Sequence, residues 1–249
     1  MILARLSRAI REQNWLAVAI EFVIVIAGVV IGFQISAWNA EREAAARVDL
    51  ALVRLQAETE ETIRTLRSRI AMNAERQADQ TLMVHVAMTG ELLPEDTETF
   101  ERAVAQLMYF SRPPVQQSTY LALEQSGDLA LITDRELVAE LNRYRGRLEW
   151  IESQHNGFRS GLTEFTDRLS EFVFHEPTDE PTVTHVRVDL DRLAAEPRYQ
   201  SALVQIARMH AIFAMYVVAL EAHTVELCHR LAEETGRACR DGDQQNSEP

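Results

Sequence analysis

The chain has no lysine: all 25 cations among its 249 residues are arginine, a coding bias rather than a chemical signal. Glycine and proline are scarce, at nine and seven residues. That excludes a collagen-like or Pro/Gly-rich disordered chain and leaves room for long helices. Two cysteines are too few for a dense disulfide framework. Positive charge is short as well, 25 cations against 38 carboxylates, for a net charge of −13. A surface of that sign argues against sequence-independent nucleic-acid binding, which depends on releasing phosphate counterions. The common catalytic signatures are missing: no glycine-rich phosphate loop, no His-Glu-x-x-His, no Gly-x-Ser-x-Gly and no Cys-x-x-Cys. Carboxylates abound, yet no two are marked as a catalytic pair. The expectation is a protein that is not an enzyme, with no catalytic residue, metal or cofactor assigned.

The most prominent feature present is an apolar run. Leu16 to Ala37 contains only Glu21, Gln34 and Ser36 as polar members, and Phe22 to Phe33 contains none. Trp15 and Trp38 bracket it, 23 residues apart, or ~34 Å of helix, close to a bilayer core with its interfaces. Indole rings favour those interfaces. Residues 15–38 are therefore expected to form a transmembrane helix, with the lipid bilayer as a partner and Trp15 and Trp38 at its two faces. Immediately after the run, Asn39-Ala40-Glu41-Arg42-Glu43 offers no small-x-small cleavage site. Arg5, Arg8 and Arg11 precede the span, and Arg42, Arg47 and Arg54 come after it, a near tie in cations. The short leading segment tips the expectation toward residues 1–14 in the cytoplasm and the main domain outside, at a bacterial inner membrane.

Within the span, Gly28 and Gly32 form a Gly-x-x-x-Gly, which lets helix backbones approach closely in lipid. Glu21, Val25, Gly28, Gly32 and Ile35 share one face. That face is expected to pair with a second copy or with another membrane protein, Glu21 meeting an arginine or carboxylate of the partner. The alternative for Glu21, six residues from Trp15, is snorkelling to the headgroups.

Beyond the span no glycine or proline occurs until Gly90. Val48, Leu52, Leu55, Thr59, Ile63, Leu66 and Ile70 keep a helical stripe, so the membrane helix is expected to continue into a soluble one. A second helix fits Thr97 to Phe110, broken by Pro113-Pro114, and a short one fits Ser118 to Ser126, stopped at Gly127. Thr133-Asp134-Arg135-Glu136 reads as a capping box with Thr133 as cap. From it Leu137, Leu141, Tyr144, Leu148, Ile151, His155, Phe158, Leu162, Phe165, Leu169 and Phe172 alternate steps of four and three, a knobs-into-holes seam. Residues 175–197, with Pro177, Pro181 and Pro197, read as a connector in which Thr182 to Val188 alternates briefly and is a candidate for extended chain. The seam returns through Tyr199, Leu203, Ile206, His210, Phe213, Val217, Leu220, Thr224, Leu227 and Leu231. Residues 241–249 read as a disordered tail. The fold class is all-α: an N-terminal transmembrane helix continuing into a membrane-tethered antiparallel helical bundle over residues 39–240.

Three histidines lie on apolar stretches: His155 and His210 in the seams, His85 within Leu82 to Met88. They are candidates for polar core residues that pin register; convergence into a metal site or proton switch is the rarer arrangement. Cys228 and Cys239 are ~16 Å apart if helical throughout, beyond disulfide reach. A bend at Gly236 closes that distance and lets them pair in an oxidising compartment; otherwise they are two free thiols. Arg143, Arg145 and Arg147, flanked by Glu140 and Glu149, read as a solvated face.

Two stretches carry a family likeness. One runs from Gln13-Asn14-Trp15-Leu16-Ala17-Val18 through Gly28-Val29-Val30-Ile31-Gly32-Phe33-Gln34 to Trp38-Asn39-Ala40-Glu41-Arg42. The other is Thr119-Tyr120-Leu121-Ala122-Leu123, Ser126-Gly127-Asp128-Leu129 and Ile132-Thr133-Asp134, then Leu137, Leu141 and Tyr144. Over about a quarter of the chain these resemble a family of bacterial single-pass membrane proteins of unknown function. The resemblance implies a bacterial membrane protein with a helical domain and supplies no catalytic residues. The expected function is a membrane-anchored interaction module, an oligomer or a subunit of an envelope complex. The second expectation is an extracytoplasmic domain that senses a small molecule or ion and signals through a membrane partner.

Overall fold

With neither glycine nor proline between Gly32 and Gly90 to interrupt it, one helix, α1, spans Trp15–Thr89 in the computed structural model. It ends where Gly90 turns left-handed (φ 73°) and returns its N–H to the Val86 carbonyl. The structure describes residues 15–176 and 185–242. The expected cytoplasmic segment 1–14, residues 177–184 of the connector and 243–249 of the tail lie outside the described residues. The chain divides into two compact units, one running to Leu50 and the other from Ala51.

In the first unit, the apolar part of α1 is exposed along its length, from Leu16 and Phe22 through Val29, Ile31 and Phe33 to Trp38. The second unit is a helical bundle. After α1 come α2 (Thr97–Gln106), α3 (Ser118–Ser126), α4 (Arg135–Leu169), the strands β1 (Val173–Glu176) and β2 (His185–Val188), α5 (Leu190–Ala195) and α6 (Pro197–Thr235). Two short 3₁₀ turns, Pro94–Asp96 and Asp128–Leu131, lead into α2 and follow α3. The all-α class holds, with only two short strands among the described residues.

Helices α4 and α6 pack antiparallel, as successive contacts show. Tyr144 meets Thr224, His155 and Phe158 meet Phe213, Gly161 meets the Met209 methyl, and Phe172 meets Tyr199. Both heptad seams face inward; every seam residue of α6 from Tyr199 to Leu231 is buried. Leu66 of α1 joins Leu148, Ile151, Phe213, Val217 and Leu220 in one layer. A larger cluster lies toward the end of α1, where Met83, Val86 and Ala87 pack with Phe100, Val104, Leu107, Leu169, Phe172, Tyr199 and Leu203. Burying that many branched and aromatic side chains is the main driving force for this unit, at roughly 1.5–3 kcal/mol per fully buried large side chain.

Three local expectations are corrected. The connector 175–197 carries more regular structure than its one alternating stretch. β2 lies within that stretch, but it pairs antiparallel with β1, Val173 opposite Val188, and is followed by α5, which Asp189 caps by accepting from the Arg192 N–H at 3.0 Å. The cap of α4 is Asp134, whose Oδ1 accepts from the N–H groups of Glu136 (2.8 Å) and Leu137 (3.1 Å), in place of Thr133. Glu136 instead accepts from Arg230, so it does not reach back to close a capping box. The second helix stops at Gln106, four residues short of Phe110.

Candidate functional site

The early stop of α2 creates the most distinctive polar feature of the core. Pro114 stands four residues after Phe110 and has no N–H to return to its carbonyl, so the helix cannot continue through this turn. Pro114 thus leaves the Phe110 carbonyl without a helical donor, and the end of α2 at Gln106 leaves the Leu107 carbonyl outside the helix; the seam histidines supply donors to both. His155 Nε2 lies 3.1 Å from the Phe110 carbonyl, and His210 Nε2 lies 2.9 Å from the Leu107 carbonyl. A carbonyl only accepts, so both Nε2 atoms carry the proton. The Phe110 ring stacks on His155 (centroids 5.4 Å apart) and meets His210 edge-on (5.1 Å). Phe213 completes the group, 4.7 Å from Phe110. The two histidines thus clamp the Leu107–Phe110 turn from α4 and α6.

Burial holds the pKa of His210 below its ordinary value, and the charge of Arg76 lowers it further, while the bond to Leu107 opposes both. Burial thus favours the neutral form of the imidazole. His155 Nδ1 is buried without a partner, as is Gln80 Nε2. Beside His210, a cavity of ≈ 20 Å³ is lined by Arg69, Asn73, Arg76, Phe110 and Phe213, room for about one water. Nearby, burial pushes the Tyr144 phenol up to about 12 although Thr224 hydrogen-bonds it. The third histidine is elsewhere: His85 is exposed, because the buried stripe of α1 passes through Met83, Val86 and Ala87. The expectation of His85 as a core residue is corrected accordingly.

The face built on the apolar part of α1 is a second candidate. A Cβ placed on Gly28 or Gly32 meets nothing within 4 Å. Glu21, Val25 and Ile35 on the same face are exposed. Trp38 is exposed with the Arg42 guanidinium 4.7 Å over its ring, a cation–π pair suited to a polar boundary. Trp15 opens the helix, and its side chain lies outside the described residues. Two helices, α1 and α6, are long and apolar enough to cross a membrane. They differ in burial: none of the apolar window of α1 is covered, whereas α6 lines the core.

Cys228 and Cys239 are joined, with Cα atoms 5.7 Å apart, because Gly236 adopts a left-handed conformation (φ 68°) and folds the chain back. Asp241, placed by the sequence in the tail, is buried. Arg143 and Arg145 pair with Glu140 and Glu149 on the solvated face of α4. Sequence reasoning missed Phe110, Asp134 and Asp241. Only Pro113-Pro114 carried a signal for the first, by marking where carbonyls lose their helical donors. Comparison with family models, with curated proteins and with solved structures finds no match to this chain.

Proposed function

We propose that the chain is a membrane-anchored, non-catalytic helical module that works by interaction, pairing in the bilayer with a second copy or another membrane protein. The observation that carries this reading is the contrast between the two apolar helices. α6 buries its seam in protein, while the apolar stretch of α1 has no protein cover at all. A continuous exposed apolar surface of that length is compatible with water only if lipid or a partner covers it. Gly28 and Gly32 then supply the close-approach face, with Glu21 as its polar element. Residues 15–38 are the span in this account, in the inner membrane of a bacterium, with the bundle in the periplasm. The disulfide in the second unit fits an oxidising compartment on that side, and the resemblance to bacterial single-pass proteins agrees with it. The sensing alternative would use the bundle core, where the cavity beside the histidines has room for about one water, the scale of an ion rather than of a larger molecule.

The test is self-association in a bilayer. Gly28→Ile with Gly32→Ile is expected to reduce dimer formation of the full chain in liposomes at least tenfold, measured by energy transfer between labelled copies. Unchanged transfer, together with unchanged recovery of partners by cross-linking in membranes, contradicts pairing through this face.

A further inference from the structure

Where Gly236 folds the chain back, four metal-ligating side chains come together: Cys228, Cys239, His229 and Asp241. The ligand atoms of His229, Cys239 and Asp241 lie within 4.8 Å of one another, and Cys228 is bonded to Cys239. His229 Nε2 stands 3.3 Å from Asp241 Oδ2. A tetrahedral zinc ion with ligand bonds of 2.0–2.3 Å needs ligand atoms roughly 3.3–3.8 Å apart. The imidazole and carboxylate already meet this spacing, the widest of the other separations must close by up to about 1 Å, and the two sulfurs must part from bonding distance. Cys228, Cys239 and Asp241 are buried, while the His229 side chain is half-exposed and leaves a path from solvent. This is the mixed sulfur, nitrogen and oxygen donor set that zinc accepts.

The scaffold of this group does not depend on the disulfide alone. The side-chain amide of Gln56 donates to the carbonyls of Arg237 (3.0 Å) and Ala238 (3.3 Å), and its oxygen accepts from Thr235 at 2.6 Å. Glu60 accepts the Arg240 N–H at 3.1 Å, and Arg67 donates to the Asp241 carbonyl. These bonds tie residues 235–241 to α1 through atoms other than the sulfurs.

We propose that reduction of the Cys228–Cys239 disulfide turns this corner into a zinc site of two thiolates, one imidazole and one carboxylate. A dithiol reductant supplies two electrons and two protons. Its own sulfurs join as a disulfide, and the Cys228–Cys239 bond breaks to two thiols. Zinc then replaces the two thiol protons, which leave to solvent, and His229 and Asp241 complete the shell. In the oxidised chain the sulfurs are spent on each other and the site is closed, so metal occupancy reports the redox state.

The full chain in detergent micelles, reduced with a phosphine standing in for the dithiol, is titrated anaerobically with Co²⁺. One Co²⁺ per chain is expected, with thiolate-to-cobalt charge-transfer absorption that one equivalent of Zn²⁺ bleaches. The oxidised chain shows no such absorption. His229→Ala and Asp241→Ala, each first checked for the native helical circular-dichroism signal with the disulfide intact, are expected to weaken Co²⁺ binding of the reduced chain by about tenfold or more. Absence of the charge-transfer band, an affinity unchanged in either variant, or loss of the helical circular-dichroism signal on reduction overturns the proposal.

Discussion

Pro114 deprives the Phe110 carbonyl of a helical donor and His155 supplies one from α4, while His210 of α6 does the same for the Leu107 carbonyl just past the end of α2. The histidines are thus stability elements whose charge state matters. The folded-state pKa of His210 lies below its ordinary 6.5, so the unfolded chain binds a proton that the folded chain refuses. Stability is full above about pH 6.5 and falls as pH drops from there toward the folded pKa. Asp134 and Glu171, also held below their ordinary 3.8 and 4.5, lose their contributions only at lower pH. Urea midpoints measured in detergent are expected to decline between pH 7 and 5.5. His210→Leu flattens that slope and costs about 1–3 kcal/mol at pH 8, because the Leu107 carbonyl loses its donor. An equal slope in the variant refutes the assignment.

At the scale of the elements, the start of α4 separates two caps that the sequence alone does not distinguish. Asp134→Ala removes the acceptor of two N–H groups and the partner of Arg230. It is expected to lower Tm by roughly 2–4 °C, while Thr133→Ala leaves it unchanged. The reverse order restores the capping box. Helices were legible because their seams repeat: stripes at 48–66, 137–172 and 199–231 are set by the 3.6-residue period, whatever packs against them. Of the β1–β2 pair, β2 was legible in the alternation of Thr182 to Val188, whereas the four residues of β1, directly after the α4 seam, are too few to show a period of their own. The candidate sites were legible only in part. Cys228 and Cys239 needed the turn at Gly236, which glycine announces. The meeting of Asp241 with His229, and of Phe110 with two histidines, depends on tertiary proximity across 12 to 100 residues, which local pattern does not encode.

For the whole molecule, the net charge of −13 is unevenly divided: residues 39–249 carry −14 and the apolar span only Glu21. The chain joins an acidic bundle that buries its own apolar seams to a helix that exposes them. In the proposed function, lipid is the cover that reconciles the two. Alkaline carbonate extraction of membranes from cells making the full chain, followed by flotation on a density gradient, tests it most directly. The full chain is expected to resist extraction and float with lipid, and a variant with Val23, Val25, Val29 and Ile31 replaced by Asp to be extracted. Release of the unaltered chain at alkaline pH as a monodisperse, detergent-free species contradicts it.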